Sequence, residues 1–345
     1  MKILITGGAG FVGSSIAVKL KTKYPNYQIV VFDNLRRRGS ELNLKEFKKY
    51  DIEFIHGDIR NMDDLNTLSF DLLIEASAEA SVLAGMNGDR KYLIDTNLGG
   101  LINSLEISLK NRAKIIFLST SRVYPVDLIN SLDYKESDTR YEMGQNDTEG
   151  VTKEGFSENL PLKGYRTLYG ATKLSSELII NEYVNMFSLD AVINRCGVIA
   201  GAGQFGKADQ GIVAFWVASY FFDKPLTIFG NGKQVRDILN INDLFDLIDL
   251  QIHNFTLFNK ETFNVGGGLN SSLSLIELDR FCKKVIKDKS VLFKENRELD
   301  IKYYITDNGK ISKSGWKPKR DIKDTIMETL EWIEDNQEEL KWIFV

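Results

Sequence analysis

The chain has 345 residues, 43% of them hydrophobic and 27% charged, so it can bury a large core without disulfides or a structural metal. Its 44 Lys and Arg against 48 Asp and Glu give a net charge of −4, which provides no electrostatic footprint for nucleic acid. Two histidines and two distant cysteines, Cys196 and Cys282, argue against a zinc centre and a Ser–His–Asp triad.

In chain order, a strand-like run begins at Lys2, which leaves no room for a signal peptide. No apolar stretch approaches about 18 residues, so no membrane span is expected. The thiols read as core residues of a protein in a reducing cytoplasm. Apolar runs at 3–5, 29–32, 53–55, 72–74 and 115–118 are short and apolar on both faces, as in a buried parallel sheet. Helical patterns at 12–23, 40–48 and 97–109 lie between them. This alternation predicts an α/β fold, a Rossmann-type doubly wound parallel sheet. Residues 125–165, with many charged, Gly and Asn residues, form a long excursion that is either functional or disordered. After Asp190 the rhythm changes to a strand at 191–195, a glycine-rich loop at 201–211 and an aromatic-rich helix at 212–222. A strand at 262–265 and helices at 275–285 and 321–336 follow. The expected division is a nucleotide-binding domain over 1–190, rejoined by 233–256, and a smaller mixed α/β lobe over 191–232 and 257–345.

Thr6-Gly7-Gly8-Ala9-Gly10-Phe11-Val12-Gly13 stands between the first strand and the first helix. Glycines at 7, 10 and 13 permit a tight turn, close approach of a pyrophosphate and close helix–strand packing. The helix N-terminus offers backbone amides to the phosphates. Asp33 ends the second strand, where a carboxylate accepts hydrogen bonds from the adenosine ribose and favours NAD over NADP. Arg36-Arg37-Arg38 points the other way, since guanidinium groups receive a 2′-phosphate well. With Asp33 in place, a solvated basic turn is the expectation. Asp58 is placed to meet the adenine edge.

Tyr169 and Lys173 are four residues apart and share one face if the segment is helical. An ammonium beside a phenol favours the phenolate, which suits Tyr169 as acid and base in an alcohol–ketone interconversion. Ser119-Thr120-Ser121 ends a buried strand at the carboxyl edge of the sheet, where α/β ligands bind. A hydroxyl there can hold the reacting oxygen.

Together these residues resemble the extended short-chain dehydrogenase/reductases. Asn97, within Asp95-Thr96-Asn97-Leu98-Gly99-Gly100, adds to the likeness. Gly230-Asn231-Gly232-Lys233-Gln234-Val235-Arg236-Asp237, Asn264-Val265-Gly266-Gly267, Arg297…Asp300 and Gly315-Trp316-Lys317-Pro318 resemble the nucleotide-sugar epimerase/dehydratase branch. The resemblance covers nearly the whole chain. It implies Thr120, Tyr169 and Lys173 as catalytic residues. It implies an NAD site formed by Gly7, Gly10, Phe11, Val12, Gly13, Asp33, Asn34, Arg36, Asp58, Ile59, Asn97, Ser119, Tyr169 and Lys173. For the nucleotide-sugar substrate it implies Thr120, Ser121, Gln204, Gln210, Gln234, Arg236 and Arg297, with both arginines on the diphosphate. Relatives pair through two helices per subunit, here 98–110 and 171–187, which implies a homodimer built on a four-helix bundle.

Within that branch, 4,6-dehydratases carry an acidic pair directly after the catalytic Thr, where Ser121-Arg122 stands here. Epimerisation is what remains, or simple oxidoreduction. The loop 203–211 and the segment Glu136-Ser137-Asp138-Thr139-Arg140-Tyr141 resemble those of CDP-paratose 2-epimerases, which implies inversion at C2 of a CDP-hexose. A UDP-hexose 4-epimerase, an NAD(P)H-dependent 4-keto-sugar reductase and a catalytically silent NAD(P) sensor are the alternatives. Glu75 and Glu79 depart from the family pattern.

Overall fold

The computed structural model describes residues 1–86, 88–295 and 300–344. Short runs rich in β-branched and other apolar residues form β1 (Lys2–Thr6), β2 (Gln28–Asp33), β3 (Glu53–His56), β4 (Leu72–Glu75), β5 (Lys114–Thr120), β6 (Ala191–Cys196) and β7 (Thr262–Val265). They make one parallel seven-stranded sheet, in the order β7-β6-β5-β4-β1-β2-β3. The order reverses direction at β1, and chain connections leave to both sides, the doubly wound arrangement expected of the alternation. The sheet is longer than the first half of the sequence implies, because β6 and β7, both expected in the lobe, complete it at one edge.

The chain divides into two units. The first comprises 1–120, 168–195 and 245–262, and the second 121–167, 196–244 and 263–345. This differs from the expected boundaries in three places. The excursion belongs to the second unit, residues 191–195 belong to the first, and the returning segment is 245–262 rather than 233–256. The reason for the latter is strand pairing: Val235–Asn240 pairs with Val198–Ala200, Ser272–Ser274 and Tyr303–Tyr304, all in the second unit.

In the first unit, helices α1 (Phe11–Lys23), α2 (Arg90–Ile94), α3 (Gly100–Asn111) and α4 (Leu168–Phe187) accompany the sheet. Leu101, Leu105 and Ile107 of α3 and Ile180 and Val184 of α4 pack with Leu4, Val30, Leu73, Ile115, Phe117 and Ile193. Each such side chain contributes about 1.5–3 kcal/mol by leaving water. Cys196 and Cys282 are free and buried.

In the second unit, the excursion is ordered into the helix Val126–Ser131 and the hairpins Tyr134–Glu136/Tyr141–Met143 and Val151–Thr152/Gly155–Phe156. Arg140 anchors it. Its guanidinium grips Glu277 from Nε at 2.9 Å and Nη2 at 2.6 Å. Glu277 also closes a capping box with Ser274 at the start of the helix Leu275–Val285. Two of the family-like motifs are packing devices. Asn264 accepts from the Tyr124 hydroxyl at 2.8 Å and donates to the Phe156 carbonyl at 3.0 Å. Trp316 donates to the Asp243 carbonyl at 3.0 Å, and the backbone amides of Lys319 and Arg320 bind its carboxylate.

One buried ion pair crosses from α4 to the sheet. Arg195 of β6 binds Glu177 through Nε (3.0 Å) and Nη2 (2.7 Å), and the side chains are 8% and 3% exposed. Glu177→Ala strands the Arg195 charge in the core. Urea unfolding is expected to show a loss of about 3–5 kcal/mol, with a smaller loss when Arg195→Met accompanies it.

Candidate active site

Sterics build the turn after β1. Gly7 has φ +61°, and a Cβ there would stand 2.7 Å from the Ala76 carbonyl oxygen. A Cβ on Gly13 would lie 2.5 Å from both the Gly7 carbonyl oxygen and the Gly8 Cα, so neither position tolerates a side chain. Helix α1 begins at Phe11 and Val12. Its N-cap, Gly10, is extended and makes no side-chain cap, so no cap side chain competes for the first-turn amides. That is the cradle a pyrophosphate takes.

Asp33 closes β2. Its carboxylate accepts from the amides of Ala9 (3.1 Å) and Leu35 (2.8 Å). Burial raises its pKa, and these amides oppose the rise. Asn34 donates to Asp58 at 3.2 Å. Arg60 holds the same carboxylate through Nε at 2.9 Å and Nη2 at 2.6 Å, and this pairing keeps Asp58 well below the usual carboxylate range. Ile59 is buried beside Gly100. Asn34, Arg36, His56, Asp58 and Arg60 are among the residues lining a cleft of about 500 Å³.

At the other end of the sheet's edge, β5 finishes in Thr120, which is buried. Tyr169 and Lys173 lie one turn apart on α4, and both are buried. The Lys173 Nζ sits 4.2 Å from the centroid of the Phe117 ring in β5. The same face continues one turn further to Glu177, which accepts from the Ser119 hydroxyl. That hydroxyl, expected at the cofactor, is also a donor to the Glu177–Arg195 pair. The spacing 169, 173, 177 is a signal that the sequence carried for Glu177.

Asn97 sits in a π-helical turn, Asp95–Gly99, between α2 and α3. Such turns mark functional sites because they re-aim side chains. The Asn97 Nδ2 donates to Thr172 Oγ1 at 3.1 Å, and Thr172 in turn donates to the Tyr169 carbonyl at 2.8 Å. Asn97 also brackets Glu79, accepting from its amide at 2.8 Å and donating to its carbonyl at 3.2 Å. Glu75 is internal. It accepts from Thr6 Oγ1 at 2.7 Å, Ser104 Oγ at 2.8 Å and the Ser77 amide at 3.1 Å, bracing the exits of β1 and β4.

The first unit therefore holds Gly7, Gly10, Phe11, Val12, Gly13, Asp33, Asn34, Arg36, Asp58, Ile59, Asn97, Ser119, Thr120, Tyr169 and Lys173. Ser121, Gln204, Gln210, Gln234 and Arg236 belong to the second unit, and Arg297 lies outside the described residues. The Arg236 guanidinium is largely engaged internally, donating at 2.7 Å to the carbonyls of Val235 and Ile301 and to Asp300. Gln204 donates to the Ile199 carbonyl and Gln234 to that of Phe229, each at 3.0 Å. Among the described residues, their buried amide oxygens have no partner. Gln210 exchanges backbone hydrogen bonds with Lys207.

Residues 3–266 match the NAD dependent epimerase/dehydratase family. The chain belongs to this family. This epimerase/dehydratase is 32% identical over 346 residues to CDP-paratose 2-epimerase of Salmonella typhi, with 96% of this chain and 99% of that one covered. It is 26% identical to a putative UDP-glucose 4-epimerase of Methanocaldococcus jannaschii, over 97% of this chain and 99% of that one. Among solved structures, dTDP-glucose 4,6-dehydratase of Bacillus anthracis in complex with NAD superposes with a TM-score of 0.81 at 25% identity, covering 99% of each chain. The chain is an NAD-dependent enzyme of the nucleotide-sugar epimerase/dehydratase group. The side-chain-free glycine turn, the uncapped start of α1 and the Asp33 carboxylate fit that cofactor.

Asp237 follows Arg236 and is fully buried. Its Oδ2 accepts from the amides of Gly268 (3.1 Å) and Thr306 (3.2 Å), while Oδ1 has no partner among the described residues. Burial raises its pKa to about 6 from 3.8. The protonated carboxyl thus favours the fold fully below about pH 4, and this contribution is lost as pH rises through about 6. Above that pH the buried charge costs on the order of 3 kcal/mol. Asp237→Asn is expected to flatten the dependence, its melting temperature rising relative to the parent between pH 4.5 and pH 8. A constant difference across that range contradicts the assignment.

Proposed function

We propose that this chain is a nucleotide-sugar epimerase that inverts C2 of a CDP-hexose, in the manner of CDP-paratose to CDP-tyvelose. The observation that carries epimerisation is the combination at the end of β5 and on α4. Thr120, Tyr169 and Lys173 are kept, while Ser121-Arg122 occupies the place of the dehydratases' acidic pair. The 32% identity to the Salmonella typhi enzyme over nearly its whole length supports the CDP-hexose.

In this reading Tyr169 takes the proton of the sugar hydroxyl, and Thr120 holds the same oxygen by hydrogen bond. Lys173, buried against Phe117, stabilises the tyrosine's charged form and holds the nicotinamide ribose. NAD supplies the hydride acceptor that becomes the donor, so no net oxidant is consumed. Tyr169 then returns the proton to the alcohol formed on the other face of the keto sugar. Arg236 and Arg297 bind the diphosphate, with Ser121, Gln204, Gln210 and Gln234 on the nucleotide sugar. For Arg236 this requires the guanidinium to share its donors with Asp300 or release it.

The 26% identity to a putative UDP-glucose 4-epimerase favours a second reading, a UDP-hexose substrate inverted at C4. Nuclear magnetic resonance of products from CDP-paratose and UDP-glucose, without added NAD(P)H, separates the two. Absence of C2 inversion by folded, NAD-loaded protein rejects the CDP-hexose assignment, and stoichiometric consumption of NAD(P)H points to a reductase. Tyr169→Phe is expected to lower turnover by about 10²–10⁴-fold while NAD is retained.

We place this enzyme in the cytoplasm as a homodimer. No helix of the described chain is long and apolar enough to cross a membrane. Ile102 of α3 and Leu178, Met186 and Phe187 of α4 are 37%, 60%, 68% and 53% exposed, a patch suited to a four-helix bundle. Leu178→Asp is expected to halve the mass found by light scattering, with secondary structure unchanged.

A further inference from the structure

We propose that Tyr92 sets the choice between NAD and NADP by stacking on Arg36 and Arg60, which keeps both guanidinium groups from a ribose 2′-phosphate. The proposal deepens the assignment of NAD and rests on it.

Tyr92 lies on α2 and is half-buried. The Arg36 Cζ stands over its ring at 3.8 Å from the centroid, and the Arg60 Cζ at 4.7 Å. Guanidinium groups stack well on aromatic faces, where the ring quadrupole attracts the cation. Each arginine also meets a carboxylate. Arg60 is bidentate on Asp58, and the Arg36 Nη2 is 3.6 Å from Asp89.

The position of these groups gives the stack its consequence. Arg36 and Arg60 border the same cleft as Asn34 and Asp58, beside the residue that ends β2. Two guanidinium groups there are the raw material of a phosphate receptor, which needs free, forked donors. Set over one ring and matched to Asp58 and Asp89, they present little uncompensated charge to an incoming phosphate. Asp33 supplies the other half of the discrimination. Its carboxylate takes two backbone amides and retains acceptor capacity for ribose hydroxyls. It repels a 2′-phosphate, while Tyr92 withholds the cations that would offset the repulsion. Arg36 and the acid at 33 are thereby compatible in one NAD site.

The test incubates the full chain with equal NAD and NADP and measures the bound ratio by mass spectrometry. Tyr92→Leu keeps apolar bulk without a ring face, and the NADP:NAD ratio is expected to rise roughly tenfold, the equivalent of about two solvent-exposed cation–π contacts. Tyr92→Phe is expected to stay within about twofold of the parent, since Phe keeps the face. Adding Arg36→Ala to Tyr92→Leu is expected to return the ratio toward the parent value. An unchanged ratio in Tyr92→Leu, equal loss of both nucleotides, or a gain that survives removal of both arginines overturns the proposal. Arg36→Ala in the parent gives a second check that needs no change at Tyr92: a marked fall in NADP binding means Arg36 already serves the phosphate, and the proposal fails. A parent chain that retains neither nucleotide removes the NAD assignment itself, whereas a parent that holds NAD with an unchanged ratio in Tyr92→Leu overturns the proposal alone.

Discussion

One face of α4 has to bury a tyrosine, a lysine and a glutamate in three successive turns. Taking Lys173 and Glu177 out of water is costly unless each finds compensation in the interior. The sheet provides it from neighbouring strands. Phe117 of β5 offers a ring face to Lys173, Ser119 of β5 donates to Glu177, and Arg195 of β6 closes the ion pair. The register of α4 on β5 and β6 is thereby specified by polar matching as well as by the packing of Ile180 and Val184. Thr120 ends the same strand that carries Phe117 and Ser119. A shift of α4 along the sheet would break the compensation for two charges at once, so Tyr169 is held in place by a structural requirement.

A second set of contacts ties this face to the cofactor end of the first unit. The π-helical turn at Asp95–Gly99 turns Asn97 toward Thr172, and Tyr92 on the preceding helix carries Arg36 and Arg60. A single short stretch, residues 90–99, therefore touches the cleft bordered by Arg36 and Arg60 and the turn that bears Tyr169. Glu75 plays a comparable part beneath the glycine turn, where its four donors come from β1, the exit of β4 and α3. The Glu75 carboxylate is accommodated by hydroxyl groups and one backbone amide, so its departure from the family pattern is internal to the scaffold.

Much of this was legible in the sequence because it rests on local signals. Alternating apolar runs and helical periods locate β1 to β5 to within a residue or two, and the glycine spacing locates the turn. The Tyr169–Lys173 pair follows from helical periodicity alone. The capping boxes at Ser274/Glu277 and Asp321/Asp324 follow from the same kind of short spacing. Other features depend on partners distant in the chain. The strand at 262–265 is indistinguishable by composition from a lobe strand until β6 is seen beside it. The excursion at 125–165 reads as a candidate for disorder because nothing local shows Arg140 meeting Glu277. Nothing local shows that Asp300 and two carbonyls meet the Arg236 guanidinium.

The sequence by itself determined the α/β class, the glycine turn with its acid, and the helical spacing that puts Tyr169 and Lys173 on one face. Each of these is set by residues within a few turns or one strand of each other, where spacing and sterics suffice. Only the tertiary structure decided which strand closes the sheet, where the chain passes between its units and which charged side chains are already paired. Those outcomes rest on matching buried charges and strand edges across separations of tens to hundreds of residues. Arg36 near Asp33 shows the difference: its sequence offers a phosphate receptor, and Tyr92, more than fifty residues later, lies under its guanidinium instead.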